Sequence, residues 1–131
     1  MSEIKFFLVF ISSLVFASLS CKSVNVYNEQ KSQTIEEIAA TYLTNPHIEL
    51  NSTRDFALCY ESKSSDVAAI TKYIIIRTAD KKIILNGSYR RGYIKWINAT
   101  EVELLDAPFI FVPDDELDSY KRFIPIIQVE N

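Results

Sequence analysis

"ITKYIIIRTADKKIILNGSYRRGYIKWINATEVELLD", residues 70–106, decides the fold. Its opening, ITKYIIIRT, is rich in β-branched and aromatic residues and apolar on both sides of the alternation. That is the pattern of a strand covered on both faces. The polar ADKK that follows reads as a hairpin connection, and IILNGSY brings the chain back. GYIKWIN and EVELLD form a second pair, joined by NAT. Turns recur every eight to ten residues. Such spacing predicts an antiparallel meander, because parallel pairing needs crossovers of about a dozen residues or more.

The pattern extends upstream. In FALCYES, residues 56–62, Phe56, Leu58 and Tyr60 share one face, and Ala57, Cys59 and Glu61 share the other. Before that, the period changes. Ile35, Ile38, Ala39, Tyr42 and Leu43 recur at helical spacing along one apolar face. Thr34 followed by Glu37 makes a capping box, and Pro46 ends the helix. HIELNSTRD, from His47 to Asp55, reads as a connector with a short extended piece. KSSDVAA, residues 63–69, reads as a polar turn region.

Downstream, PDDELDSYKRF has a candidate cap at Asp114, acids first and Lys121–Arg122 last, a polarity that suits a helix. IPIIQVE reads as a final strand with Pro125 at its start or on an edge. The expected fold is α+β. It is a single antiparallel meander sheet of five or six strands, with the N-terminal helix packed on one face and a short C-terminal helix.

The N-terminus has a different character. Ile4 to Leu19 is an apolar run of about 16 residues, short of the roughly 20 a spanning helix needs. It suits the core of a secretory signal. The run closes on Ser18-Leu19-Ser20-Cys21, which resembles the lipobox of bacterial lipoproteins, with leucine two places before the cysteine rather than three. The resemblance covers these first residues only. It implies cleavage after residue 20, a lipidated (palmitate-type) Cys21, and a cell-envelope location on the periplasmic or surface side. An ordinary cleaved signal, or an uncleaved anchor with Cys21 incidental, are the alternatives. Residues 21–33 then form the lipidated cysteine and a polar tether, and 34–131 a single domain.

Composition narrows the function. The chain of 131 residues carries a net charge of −3, unchanged when residues 1–20 are removed, since they hold one acid and one base. Without a basic block, a nucleic-acid partner is not expected. With Cys21 spent on lipid, Cys59 has no disulfide partner and reads as a small buried hydrophobe. If Cys21 is free, a Cys21–Cys59 bridge is conceivable.

Patterns for catalysis, metal or cofactor are missing. His47, the single histidine, falls in the connector and reads as a surface residue. Glu101 and Glu103 share a strand face that reads as solvated. The chain therefore reads as non-enzymatic and without a cofactor.

The candidate partner-binding stretch is SYRRGYIKW, where Tyr89, Tyr93 and Trp96 interleave with Arg90, Arg91 and Lys95. Aromatic faces beside guanidinium groups suit a protein, anionic or sugar ligand. The competing reading is a bulge or turn near Gly92, with the aromatics packed inward and the cations merely wet. In APFIFVPDD, Phe109 to Val112 reads as a short core strand, with an exposed apolar patch as the alternative. Asn51 and Asn98 begin NST and NAT sequons, which matter only in a eukaryotic secretory route. The expected protein is a small membrane-anchored envelope lipoprotein that acts by binding. An inhibitor or immunity protein against an envelope-directed hydrolase is the runner-up.

Overall fold

The computed structural model describes residues 32–110 and 112–126. Cys21 and the apolar run before it lie outside the described residues. Among the described residues one helix, α1 (Ile35–Tyr42), is followed by seven strands: β1 (Pro46–Leu50), β2 (Phe56–Glu61), β3 (Thr71–Arg77), β4 (Ile83–Tyr89), β5 (Arg91–Asn98), β6 (Glu101–Ala107) and β7 (Lys121–Pro125). A single turn of 3-10 helix, Leu117–Tyr120, precedes β7.

The strands make two antiparallel sheets, not one. The first has the order β1-β2-β3-β4 and the second β5-β6-β7. The expected α+β fold with one sheet of five or six strands is therefore incorrect: the protein is mostly β. The error lies at Arg90, the one residue between β4 and β5. There the chain bends out of the first sheet, and β5 pairs with β6 instead of β4. Alternation of side chains reports that a segment is a strand and which residues share a face. It does not report which sheet the strand enters, and a strand can change sheets through a local bend.

Gly92 lies just after the bend, with φ +145. A Cβ there would stand 2.1 Å from the Leu105 carbonyl oxygen. Both the dihedral and the close approach of β6 require glycine.

The first sheet is covered on both faces. Phe56, Leu58, Tyr73, Ile75 and Tyr89 meet Ile94, Val102, Leu104 and Ile126. On the opposite face, Ala57, Cys59, Ile74 and Ile76 pack with Ile38, Ala39 and Leu43 of the helical segment. This accounts for β3 being apolar on both sides.

The helix starts at its capping box. The Glu37 amide donates to the Thr34 hydroxyl at 3.1 Å, and the Thr34 amide donates to the Glu37 carboxylate at 2.9 Å. Asn45, at φ 46, turns the chain out of it, a conformation asparagine tolerates better than most residues.

Three further expectations change. The connector after Pro46 contains a full edge strand, β1, and His47 belongs to it. The short C-terminal helix is reduced to the 3-10 turn, capped by an extended Glu116 without a side-chain hydrogen bond. Asp114 adopts φ 83 rather than capping a helix, and Lys121 and Arg122 pair with Leu105 and Leu104 as strand residues. Strand pairing with β6 takes the residues that a longer helix would have used. Finally, Phe109, Ile110 and Val112 are exposed, not core. β6 ends at Ala107, and Pro108 offers no N–H with which to continue the ladder.

Candidate functional site

The β4–β5 corner gathers three of the six candidate residues, Tyr89, Arg90 and Arg91. Tyr89 ends β4 and pairs in register with Thr71 at the start of β3. It is buried, with its ring 6.5 Å from that of Tyr73. Tyr89 therefore forms part of the core.

Arg90 is a clamp. Its backbone N–H donates to Asp106 Oδ1 at 2.9 Å, and its Nε donates to the same oxygen at 3.1 Å. Its Nη2 reaches Asp106 Oδ2 at 3.3 Å, and Arg122 Nη2 lies 3.7 Å from that oxygen. Burial pushes the Asp106 pKa up. The hydrogen bonds from Arg90 and the two guanidinium charges more than offset this, so Asp106 titrates below its ordinary value. The sequence marks Arg90 as a partner-binding cation, with a merely wet one as the competing reading; in the fold its guanidinium is paired with Asp106 at the bend.

Arg91 is exposed and donates from Nη1 to the Phe109 carbonyl at 3.2 Å. This ties the corner to the loop carrying the exposed Phe109, Ile110 and Val112. Farther along β5 the residues part. Tyr93 and Lys95 lie on the outer face of the second sheet. The Tyr93 hydroxyl donates to Glu103, and Lys95 Nζ sits 5.1 Å from the Tyr93 ring centroid and 3.7 Å from Glu103 Oε1. The hydrogen bond from Tyr93 is the main reason that Glu103 titrates below its ordinary value. Trp96 points the other way, between the sheets, where its Nε1 donates to the Glu49 carbonyl at 3.1 Å. The six candidates thus do not form one surface.

What the corner does form is a cleft of about 250 Å³. Its lining includes Lys63, Asp66, Thr71, Tyr89, Arg90 and Arg91. Lys63, Asp66 and Thr71 were missed as site residues because they belong to, or follow, a polar turn with no motif. The antiparallel pairing of β3 with β4 brings that turn beside Tyr89. A hairpin register drawn from the sequence could have placed it there.

A second polar group sits on the β1 edge. Glu49 Oε1 accepts from the Tyr60 hydroxyl at 2.9 Å and lies 3.2 Å from His47 Nε2, and the His47 and Tyr60 rings are 5.1 Å apart. Burial, then the hydrogen bond to Glu49, push Tyr60 up to about 12. The arrangement pins β1 to β2.

Comparison of the chain with protein-family models, with curated proteins and with solved structures finds no match. Among the described residues, no helix is long and apolar enough to cross a membrane, and no group of three or more His, Cys, Asp or Glu side chains is placed to hold a metal ion.

Proposed function

We propose that this protein is a small cell-envelope lipoprotein, anchored through Cys21, that acts by binding a partner at the β4–β5 corner. The observation that carries the reading is the cleft. Among the described residues the cations Lys63, Arg90 and Arg91 line it with the acid Asp66, Arg90 being paired with Asp106, on a chain whose net charge is −3. Concentrated charge of the minority sign marks a place where an oppositely charged partner is steered and held. The anchor rests on the resemblance of Ser18–Cys21 to a lipobox.

Two measurements test the two parts. A fatty-acid probe fed to cells should label the wild type and not Cys21→Ser; equal labelling of both removes the anchor. Full-length protein in nonionic detergent should capture an envelope partner that raised salt releases, since screening acts on exposed charge. Lys63→Ala should weaken that capture at an unchanged melting temperature. Capture that ignores both salt and Lys63 removes the corner as the contact site.

One observation favours the runner-up, an inhibitor of an envelope-directed hydrolase. Ile110 is 84% exposed in an apolar loop joined to the same corner through Arg91. A projecting apolar loop beside a charged cleft suits insertion into a partner's groove. Slower turnover of an envelope hydrolase on adding the protein, restored by Ile110→Asp, would favour it over the simple binding module.

A further inference from the structure

We infer that the open edge of β4 takes up an extended peptide strand from a partner protein, antiparallel to β4, with one apolar side chain seated in the hollow beside α1. This is a second contact, beyond the corner cleft. Among the described residues, the first sheet ends on β1 and β4 and the second on β5 and β7. An edge strand presents a row of unpaired N–H and C=O groups, and proteins blunt such edges with charge, proline, bulges or a covering group. Three of these four edges are blunted. β1 carries Pro46, His47 and Glu49, and Trp96 Nε1 donates to the Glu49 carbonyl at 3.1 Å. β5 carries Arg91 and Lys95 and has a register shift between Trp96 and Asn98. β7 carries Lys121, Arg122 and Pro125.

β4 differs. IILNGSY, from Ile83 to Tyr89, holds no charged residue and no proline. Its pairing with β3 shifts once, at Ile84, and is regular from Leu85 to Tyr89. Among the described residues, no group bonds the backbone of Ile83 to Ser88 on the side away from β3. The complement of such a row is another extended backbone.

The hollow is the second observation. Lys72 pairs with Ser88 and Ile74 with Asn86, and Ile74 packs under α1. By alternation all four side chains lie on the α1 face. α1 packs on Ile74 but leaves Asn86 and Ser88 exposed. There a hollow of about 550 Å³ opens, walled by Tyr42, Leu43 and Ile70. Tyr42 and Ile70 are each 57% exposed. A strand added to β4 lays every second side chain over this face. Backbone pairing then supplies affinity, and the apolar wall selects the side chain.

Charge decides between a partner and a second copy. Lys82, just before β4, is exposed, and among the described residues its ammonium has no acidic partner. Asp80, the acid of that hairpin, is held by Arg77 at 3.2 Å. Parallel pairing of two copies sets Lys82 beside Lys82. Antiparallel pairing about Asn86 sets it beside Arg90, whose acid, Asp106, is shared with Arg122. Like charges directly opposite are destabilising. An antiparallel partner strand with acids at its C-terminal end meets Lys82 with the opposite charge instead.

The test is a titration of the full-length protein, in a polyoxyethylene detergent, with the peptide Thr-Leu-Thr-Val-Thr-Val-Thr-Glu-Glu, read from the amide resonances of β4. Saturable shifts from Leu85 to Ser88 are expected, with slowed hydrogen exchange at alternate β4 amides, the mark of new backbone bonds. N-methylation of every second peptide residue should abolish binding in one phase and spare it in the other, since one set of peptide amides faces β4. Ile70→Asp should weaken the peptide about ten-fold or more at an unchanged melting temperature, by putting a charge in the apolar wall. Lys82→Glu should weaken it about two- to five-fold, and a peptide ending in two lysines should recover the loss.

Absence of saturable shifts in β4, binding that survives both methylation patterns, or equal affinity in Ile70→Asp each overturns the inference. Shifts in β4 that grow with protein concentration alone assign the edge to a second copy and overturn it as well.

Discussion

Asn51 joins the two sheets by donating its side-chain amide to the Ala99 carbonyl at 2.7 Å. Asn51 lies just past β1, and Ala99 lies in the β5–β6 hairpin. The same amide donates to Thr53 Oγ1 at 3.0 Å, and its oxygen accepts from the Phe56 N–H at 3.1 Å. With Asn51 only 3% exposed, nearly all its capacity is spent inside the protein. Asn51→Ala leaves buried backbone groups without partners. It should cost about 1–3 kcal/mol in a denaturant melt. Asn51→Asp should also destabilise, because it keeps the shape but loses the donors to Ala99 and Thr53. Wild-type stability in both variants would show the latch to be dispensable. The same burial makes the NST sequon at Asn51 unsuited to carry a glycan in the folded state.

The Asp106 clamp gives a pH dependence. Its folded pKa lies below the ordinary carboxylate value of about 3.9, although burial works in the opposite direction. A depressed folded value contributes stability above the unfolded pKa, and that contribution is lost as pH falls through the folded one. Wild-type stability should therefore decline as pH drops below about 4. In Asp106→Asn the decline should be shallower and the neutral-pH stability lower. Parallel acid limbs in the two proteins would rule the clamp out.

Cys59 is fully buried under α1, and burial pushes its thiol up to about 12, with the charge of Glu36 adding to the effect. Native protein should react with a thiol reagent far more slowly than denatured protein, even at pH 9. A folded pKa raised above the unfolded one means that stability falls as pH rises past about 8.5. That alkaline decline should be smaller in Cys59→Ala. Cys59→Ser should cost about 1–3 kcal/mol from a buried hydroxyl. Fast native labelling would show that the face under α1 opens readily.

Gly92 and Gly87 should answer differently to alanine. At Gly92 the new Cβ meets a backbone carbonyl at 2.1 Å in a left-handed conformation, and neither problem has an easy escape. Gly92→Ala should lose about 3 kcal/mol or more, or fail to fold. At Gly87 the new Cβ meets the Tyr73 hydroxyl at 2.5 Å, the far end of a side chain. A smaller loss is expected there in the same melt. Equal losses at the two sites would show that the bend tolerates a side chain.

Local signals in the sequence were readable where the cause was local. Thr34 and Glu37 mark a helix start because the two capping bonds lie within one turn. Phe56, Leu58, Ala57 and Cys59 sort onto two faces because side chains alternate along any strand. The division into two sheets was not readable, since it depends on one residue, Arg90, and on a carboxylate sixteen positions away. The exposure of Ile110 was hidden because an apolar tetrapeptide between prolines looks the same in a core or a loop. The cleft combined a recognised run at Tyr89–Arg91 with an unremarked lysine at 63, and only β3–β4 pairing brings them together.

The single-residue link at Arg90 also bears on how the chain folds. Every strand pairs only with its neighbour in sequence, within β1–β4 and within β5–β7. Loop closure inside each meander is short, and short closures are fast. The one long-range event is the meeting of two hinged halves, Phe56, Leu58 and Ile75 against Ile94, Val102 and Leu104. That meeting sets the folding barrier if the meanders form first. In stopped-flow chevrons, Leu104→Ala should then slow folding more than Ile38→Ala, which should act mainly by speeding unfolding. Identical folding limbs for the two variants would place the barrier inside a meander instead.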